Sequence, residues 1–386
     1  MDFAAGLSEH PVTAHAVGEA IGQVLEGLGG DAPPDLTLLF VTPPHGGAIE
    51  DAAAAVAATL GPRTMLGCVA ESVVGGSREV EQAPAVALWA GRTGPVTPFH
   101  LRLTPTPDGN TLTGWPEMEP EGAAALLVLA DPFTFPADAF LTLLEDERPG
   151  LPVVGGLASG AQAPGGNRLV VDGHVVSDGA VGAFISAGVD VAAVVSQGCR
   201  PVGEPLVITR AERNIVYELA GRPALDRLRE VASALSEADR QLMAGGVHLG
   251  RVIDESKPDF GRGDFLIRNV LGGDPENGAI AVGDLVEVGE TAQFQVRDAA
   301  SADEDLRQLL DGRTADGVLL FTCNGRGTRL FPTPDHDAGV VTERLPGAAL
   351  AGMFCAGELG PVGKRNFLHG FTASVVLFRR GLTTEE

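Results

Sequence analysis

Short apolar runs alternate along this chain with turns marked by glycine and proline, and one order of elements recurs. In the first copy an apolar run at 36–41 is broken by Pro43 and Pro44, and an alanine-rich helix at 49–60 is closed by Gly61-Pro62. A second run at 65–67 then enters a turn with Cys68, Glu71 and Gly75-Gly76, and a strand at 85–90 follows. In the second copy the run at 125–130 ends at Asp131-Pro132, a helix covers 136–145, and Val153-Val154 leads into Gly155-Gly156 and Ser159-Gly160. Strands at 169–171 and 180–185 complete it. The third copy, 317–378, has a buried-type strand at 318–321, a polar turn from Cys323 to Gly327, an apolar run at 348–354 and a glycine turn carrying Glu358. Phe40, Leu129 and Phe321 align as strand ends, and Gly67, Gly155 and Gly352 align as the starts of the glycine turns.

Outside the copies, the period of Val12, Ala16, Ile21 and Leu25 predicts a helix over 8–27. Between the second and third copies, short strands at 191–196, 205–209, 214–219, 247–253, 265–271, 279–282 and 292–297 are separated by turn signals. They predict an antiparallel meander, with helices at 222–235, 238–243 and 301–310. The fold class is therefore mixed α/β: repeated strand–helix–strand units plus a meander. The expected division is a helical extension at 1–35, one domain at 36–232 and another at 233–386. The stretch 104–120, rich in Pro and Thr, reads as a loop.

Composition narrows the function. The chain has 386 residues, is 44% hydrophobic and carries a formal net charge of -24. Such acidity argues against nucleic acid and against an anionic membrane surface, since both need a basic face. No long uncharged apolar run predicts a membrane span, and the N-terminus has no signal-peptide pattern, so a cytoplasmic protein is expected. The four cysteines form no C-x-x-C pair. Phosphate-binding glycine fingerprints and metal-ligand spacings are missing too, so no cofactor is expected.

The third copy concentrates the candidate chemistry, with glycine turns past strand ends that can frame a pocket. Arg326, between two glycines, could clamp a carboxylate in a fork, or form a salt bridge in a surface turn. Glu358 could take an ammonium group, or neutralise Arg326 inside the fold. Asn324 could add an amide contact or cap the turn. Cys323, Asn366 and His369 complete the cluster, with His369 also readable as a structural histidine. In the first copy Cys68 and Glu71 occupy the corresponding turn, and Ser159 stands in that of the second. Arg268, in an apolar run beside Asn269, needs an anionic partner if buried.

Several stretches together resemble the FIST family: MLGCVAESVVGG, VVGGLASG, VSQGCRPVGEPLVIT, GDFLIRNVLGGDP, VLLFTCNGRG and GMFCAGELGPVGKRNFLHGFTA. They span roughly 36–378. The resemblance implies paired N-terminal and C-terminal FIST domains in a sensory protein that binds a small ligand, an amino acid or related carboxylate. Some relatives are linked to haem, and a eukaryotic branch carries an F-box. No F-box fits before residue 36 and no kinase, receiver or cyclase segment is attached, so a stand-alone sensory protein with a signalling partner is expected. Haem ligation by His369 would require a haem-sized apolar pocket that the sequence does not signal. The competing readings are an enzyme using Cys323 or Cys68 as nucleophile with Glu358 or His369 as base, and a protein scaffold.

Overall fold

The computed structural model describes residues 1–30, 32–106, 109–117, 120 and 122–380. They separate into two compact units that cut across the expected division of the sequence. One comprises residues 1–196, 306–368 and 372–386, and the other residues 197–305 and 369–371.

Three mixed sheets build the first unit, one per copy of the repeat. At the centre of each lies a parallel pair joined by a helical crossover: Leu36–Val41 with Thr64–Val69, Ala123–Ala130 with Val153–Leu157, and Gly317–Cys323 with Ala349–Cys355. The crossover helices are Ile49–Leu60, Ala137–Glu147 and His336–Arg344. Beside each first strand runs an antiparallel one: Val86–Gly91, Ala180–Ser186 and Thr372–Arg380. The outer neighbours of these are Phe3–Ser8, Val96–Thr106 and Val189–Gln197.

The other edge of each sheet comes from a different copy. The hairpin Ser72–Gly75 and Arg78–Glu81 leaves the first copy to pair with Ala349–Cys355 of the third. The hairpin Leu169–Val171 and His174–Val176 of the second pairs with Thr64–Val69 of the first. Glu358–Val362, with Arg365–His369 beyond it, pairs with Val153–Leu157 of the second. The exchange is cyclic, so no copy completes its own sheet.

At each aligned glycine the neighbouring parallel strand leaves no room for a side chain. A Cβ on Gly67, Gly155 or Gly352 would lie 2.3, 2.0 or 1.9 Å from the carbonyl oxygen of Leu39, Val128 or Leu320. Only glycine lets the backbones meet there. The three glycines thus mark one position in the three copies, but it lies inside the second strand of each parallel pair and not, as the sequence expects, at the start of a turn.

The inner faces of the three sheets share one core that includes Phe40, Cys68, Leu129, Val154, Phe321, Met353 and Phe378. Trp89 is buried in it and donates its ring N–H to Ala349 O at 3.0 Å, which satisfies the indole across copies. Each outer face is covered by its helices, as where Ala52, Ala53 and Val56 pack under Leu39 and Leu88.

Two expectations need correction. Residues Phe3–Ser8 form a strand, paired with Val86–Gly91, and the helix starts only at Thr13. Small residues hide this strand, because Ala4, Ala5 and Gly6 give no apolar alternation. The expected loop at 104–120 instead begins as a hairpin of Val96–Thr106 and Gly109–Thr113. Its positions 107, 108, 118 and 119 lie outside the described residues.

The second unit is the expected antiparallel region without its first strand, since 191–196 lies in Val189–Gln197 at the edge of the third sheet, and it closes into a small barrel. Thr291–Arg297 pairs with Leu206–Glu212 on one side and Val247–Val252 on the other. Ile215–Leu219, Ile280–Val282 and Phe265–Gly273 complete the ring. Alternate residues Ala292, Phe294 and Val296 fill its interior with Ile208, Val216, Leu249 and Ile280.

Candidate functional site

The strand end of the third copy gathers charge inside the core. Gly317–Cys323 runs into a turn that places Arg326 wholly inside the protein, at 0% exposure. Its partner is Asp337, equally buried, on the first turn of helix His336–Arg344. Arg326 donates from Nε and Nη2 to Asp337 Oδ2 and Oδ1, each at 2.7 Å. Thr322 Oγ1 donates to Asp337 Oδ2 at 2.9 Å, and His336 Nδ1 lies 2.9 Å from Oδ1. Burial opposes the Asp337 charge, but the Arg326 guanidinium overrides it and holds the carboxyl well below its usual range. Phe331 lies 5.2 Å below the guanidinium and stacks on His336.

Two further buried carboxyls feel this charge. Glu358 accepts from Thr372 Oγ1 at 2.7 Å and from its N–H at 3.3 Å, both through Oε2. Burial pushes it up to about 8, against the Thr372 bonds and the Arg326 charge. Glu79 arrives on the exchanged hairpin and accepts from Ala338 N–H at 2.8 Å. Burial and then the Asp337 charge push it up to about 8 as well.

Four buried atoms of this cluster and its turn have no protein partner: Arg326 Nη1, the Glu358 Oε1 and Glu79 Oε2 that feel its charge, and Asn324 Oδ1 of the same turn. Cys323, Asn324 and Gly325 are half-buried and Ala356 is exposed, so the turn opens to the surface at the strand ends. The same exchanged hairpin clamps the turn from outside. Glu81 accepts from Thr328 N–H and Oγ1 at 2.9 and 2.8 Å, and Glu71 pairs with Arg329.

The expected site residues divide accordingly. Cys323, Asn324, Arg326 and Glu358 share the centre, and Glu71 holds its outer turn. The carboxylate that neutralises Arg326 is Asp337, not Glu358. Ser159 ties the copies together: its Oγ donates to Phe354 O at 2.6 Å and accepts from Glu71 N–H at 2.8 Å. Cys68 Sγ lies 3.1 Å from Met353 Sδ in the shared core. Burial pushes the thiols of Cys68 and Cys355 up, opposite to what a nucleophile needs. Asn366 fastens its hairpin to the second sheet, donating to Leu151 O and accepting from Val153 N–H, each at 2.8 Å.

The remaining three lie in the barrel unit. Arg268 donates from Nε to Asp284 at 2.7 Å, a carboxylate it shares with Arg251. Asn269 is exposed on the same strand, and His369 is buried. In the sequence Asp337 and Glu79 carry no mark as site residues, and Thr372 stands in the third copy without a role. Asp337 follows a Pro-rich turn as an ordinary acidic helix start, and Glu79 reaches the site only by hairpin exchange. Among the described residues no cluster of three or more His, Cys, Asp or Glu is placed to hold a metal ion. None of the helices there is long and apolar enough to cross a membrane.

Comparison with known proteins gives the same assignment over nearly the whole length. The family model for the FIST N domain matches residues 35–222, and that for the FIST C domain matches residues 224–361. An uncharacterized protein of Mycobacterium tuberculosis is 43% identical over 384 residues, covering 98% of this chain and 100% of the relative. An uncharacterized protein of Mycobacterium bovis is 42% identical over 385 residues, covering 98% of this chain and 99% of the relative. FIST domains are sensory, ligand-binding domains of signal transduction. With both domain matches in chain order and these full-length relatives, this chain belongs to the FIST family.

Proposed function

We propose that this protein senses a small zwitterion or carboxylate of amino-acid size, bound without chemistry at the Arg326 centre. The observation that carries the reading is the set of four unpartnered buried atoms on Arg326, the two carboxyls that feel its charge and Asn324 of its turn. Each such atom costs about 1–3 kcal/mol, a large share of the roughly 5–15 kcal/mol that stabilises a folded domain. One donor, Arg326 Nη1, matches a ligand carboxylate. Three acceptors, Glu358 Oε1, Glu79 Oε2 and Asn324 Oδ1, match an ammonium group. The half-buried turn at Cys323–Gly325 supplies the way in, and a signalling partner reads the occupied state.

This reading couples binding to protons. Without ligand, Glu358 has its carboxyl raised to about 8 by burial, so it holds a proton at neutral pH. An ammonium group stabilises the ionised form and expels that proton. Affinity for an amino acid therefore falls as pH drops below about 8. Calorimetric titration with the proteinogenic amino acids and small dicarboxylates, in buffers of differing ionisation enthalpy, tests this. The expected result is saturable binding with proton release at neutral pH. No binding by any of them at millimolar concentration would reject the reading.

A further inference from the structure

Cys323 and Cys355 are register partners on the parallel strands Gly317–Cys323 and Ala349–Cys355, and each is the last residue of its strand. Paired strands lie about 4.8 Å apart, inside the Cα separation of roughly 4.4–6.8 Å that a disulfide spans. Register partners of a parallel pair project to the same face, here the inner one that also carries Phe321 and Met353. The two thiols differ in setting. Cys323 is half-buried at the turn, and Gly325 N–H donates to its Sγ at 3.3 Å. The Arg326 guanidinium also bears on it. Of the two thiols, Cys323 is the one that an oxidant can reach from solvent. Cys355 is buried, and its Sγ sits in the notch left by Gly156, where a Cβ would come within 2.4 Å. No disulfide joins any of the four cysteines.

We infer that Cys323 and Cys355 form a reversible disulfide when the protein meets a hydroperoxide, with Cys323 the attacking thiol and Cys355 the resolving one. The inference does not depend on the ligand reading. In the first step the Cys323 thiolate attacks the terminal peroxide oxygen. The O–O bond breaks, the alkoxide or hydroxide leaves and takes a proton to become alcohol or water, and Cys323 becomes a sulfenic acid. In the second, Cys355 sulfur attacks the sulfenic sulfur. The S–O bond breaks, and the departing hydroxide leaves as water with the Cys355 proton. Two thiols are oxidised and one peroxide is reduced. The raised Cys355 thiol slows this second step, while adjacency on neighbouring strands accelerates it. The bond closes across the strand ends that frame the Arg326 turn, so it fixes that turn against the neighbouring strand.

Exposure of the full-length protein to hydrogen peroxide, followed by denaturing alkylation and peptide mass mapping, tests the inference. The expected product is a Cys323–Cys355 link with loss of two hydrogen atoms, reversed by dithiothreitol. It is lost in Cys323→Ser and kept in Cys68→Ser and Cys199→Ser. Cys323→Ser alters a half-buried position, and the wild-type map stands on its own if a buried-site variant fails to fold. Three outcomes overturn the inference. Cys323 ends as unlinked sulfinic or sulfonic acid, Cys355 links to Cys68 instead, or all four thiols stay alkylatable while a reference thiol in the same tube is oxidised.

Discussion

The strand ends past Leu129 and past Phe321 occupy one position in two copies of the same unit, yet they satisfy their polar groups by opposite means. In the second copy Asp131 is buried and accepts neutral bonds from within that copy: Asn167 Nδ2 at 2.8 Å and Thr134 Oγ1 at 2.6 Å. In the third copy Asp337 is ionically paired to Arg326, and acidic residues reach the turn from the first copy through the exchanged hairpin. The first arrangement leaves one orphaned atom, Asn167 Oδ1, and the second leaves four. The scaffold is shared, so the difference lies in what the strand-end turn carries. A network of uncharged donors around one carboxyl, nearly all of it satisfied, fastens a fold, and an ion-paired, undersatisfied one keeps capacity for a guest.

The contrast breaks most directly at the two aspartates. Asp337→Ala strands a buried guanidinium and is expected to cost about 3–5 kcal/mol in urea unfolding. Asp131→Ala removes two neutral bonds and is expected to cost about 1–3 kcal/mol. Equal losses would mean the two centres are energetically alike. The shared scaffold gives the next test. Gly352→Ala and Gly155→Ala both drive a Cβ into a carbonyl oxygen, so each is expected to lose at least roughly 1–3 kcal/mol. Gly155 also stands at φ +130°, which Gly352 does not, so Gly155→Ala is expected to lose the more, and a harmless Gly155→Ala would contradict this. The outer clamp sharpens the picture with the smallest effect. Glu71→Gln breaks its pair with Arg329, whose side chain is 47% exposed, and should change stability by about 0–1 kcal/mol.

The repeat was legible because its marks are local. Apolar runs, proline breaks and glycine turns lie in one order, and Gly67, Gly155 and Gly352 align because the same carbonyl approaches each. The exchange of hairpins was not legible, since Ser72–Gly75 pairs with Ala351, Gly352 and Met353, far along the chain, and no local pattern names a partner. That also explains the candidate site. Cys323, Asn324, Arg326 and Glu358 sit close in sequence and could be read together. Asp337 looks like any acidic helix start, and Glu79 belongs to a strand that only tertiary pairing brings across. The antiparallel strands of the second unit followed from their turn signals, but their closure into a barrel did not, since it rests on Val247–Val252 meeting Thr291–Arg297, a non-local choice.

The central claim is that the ion-paired strand end past Phe321, and not its counterpart past Leu129, takes a ligand. Thermal unfolding at rising concentrations of the amino acid that binds in calorimetry tests it, on wild type, Asn324→Leu and Asn167→Leu in parallel. A ligand at a hundred-fold its Kd should stabilise wild type by about 2.7 kcal/mol. The account predicts that this gain survives in Asn167→Leu and is lost or sharply weakened in Asn324→Leu. A gain that persists in Asn324→Leu and vanishes in Asn167→Leu would contradict it.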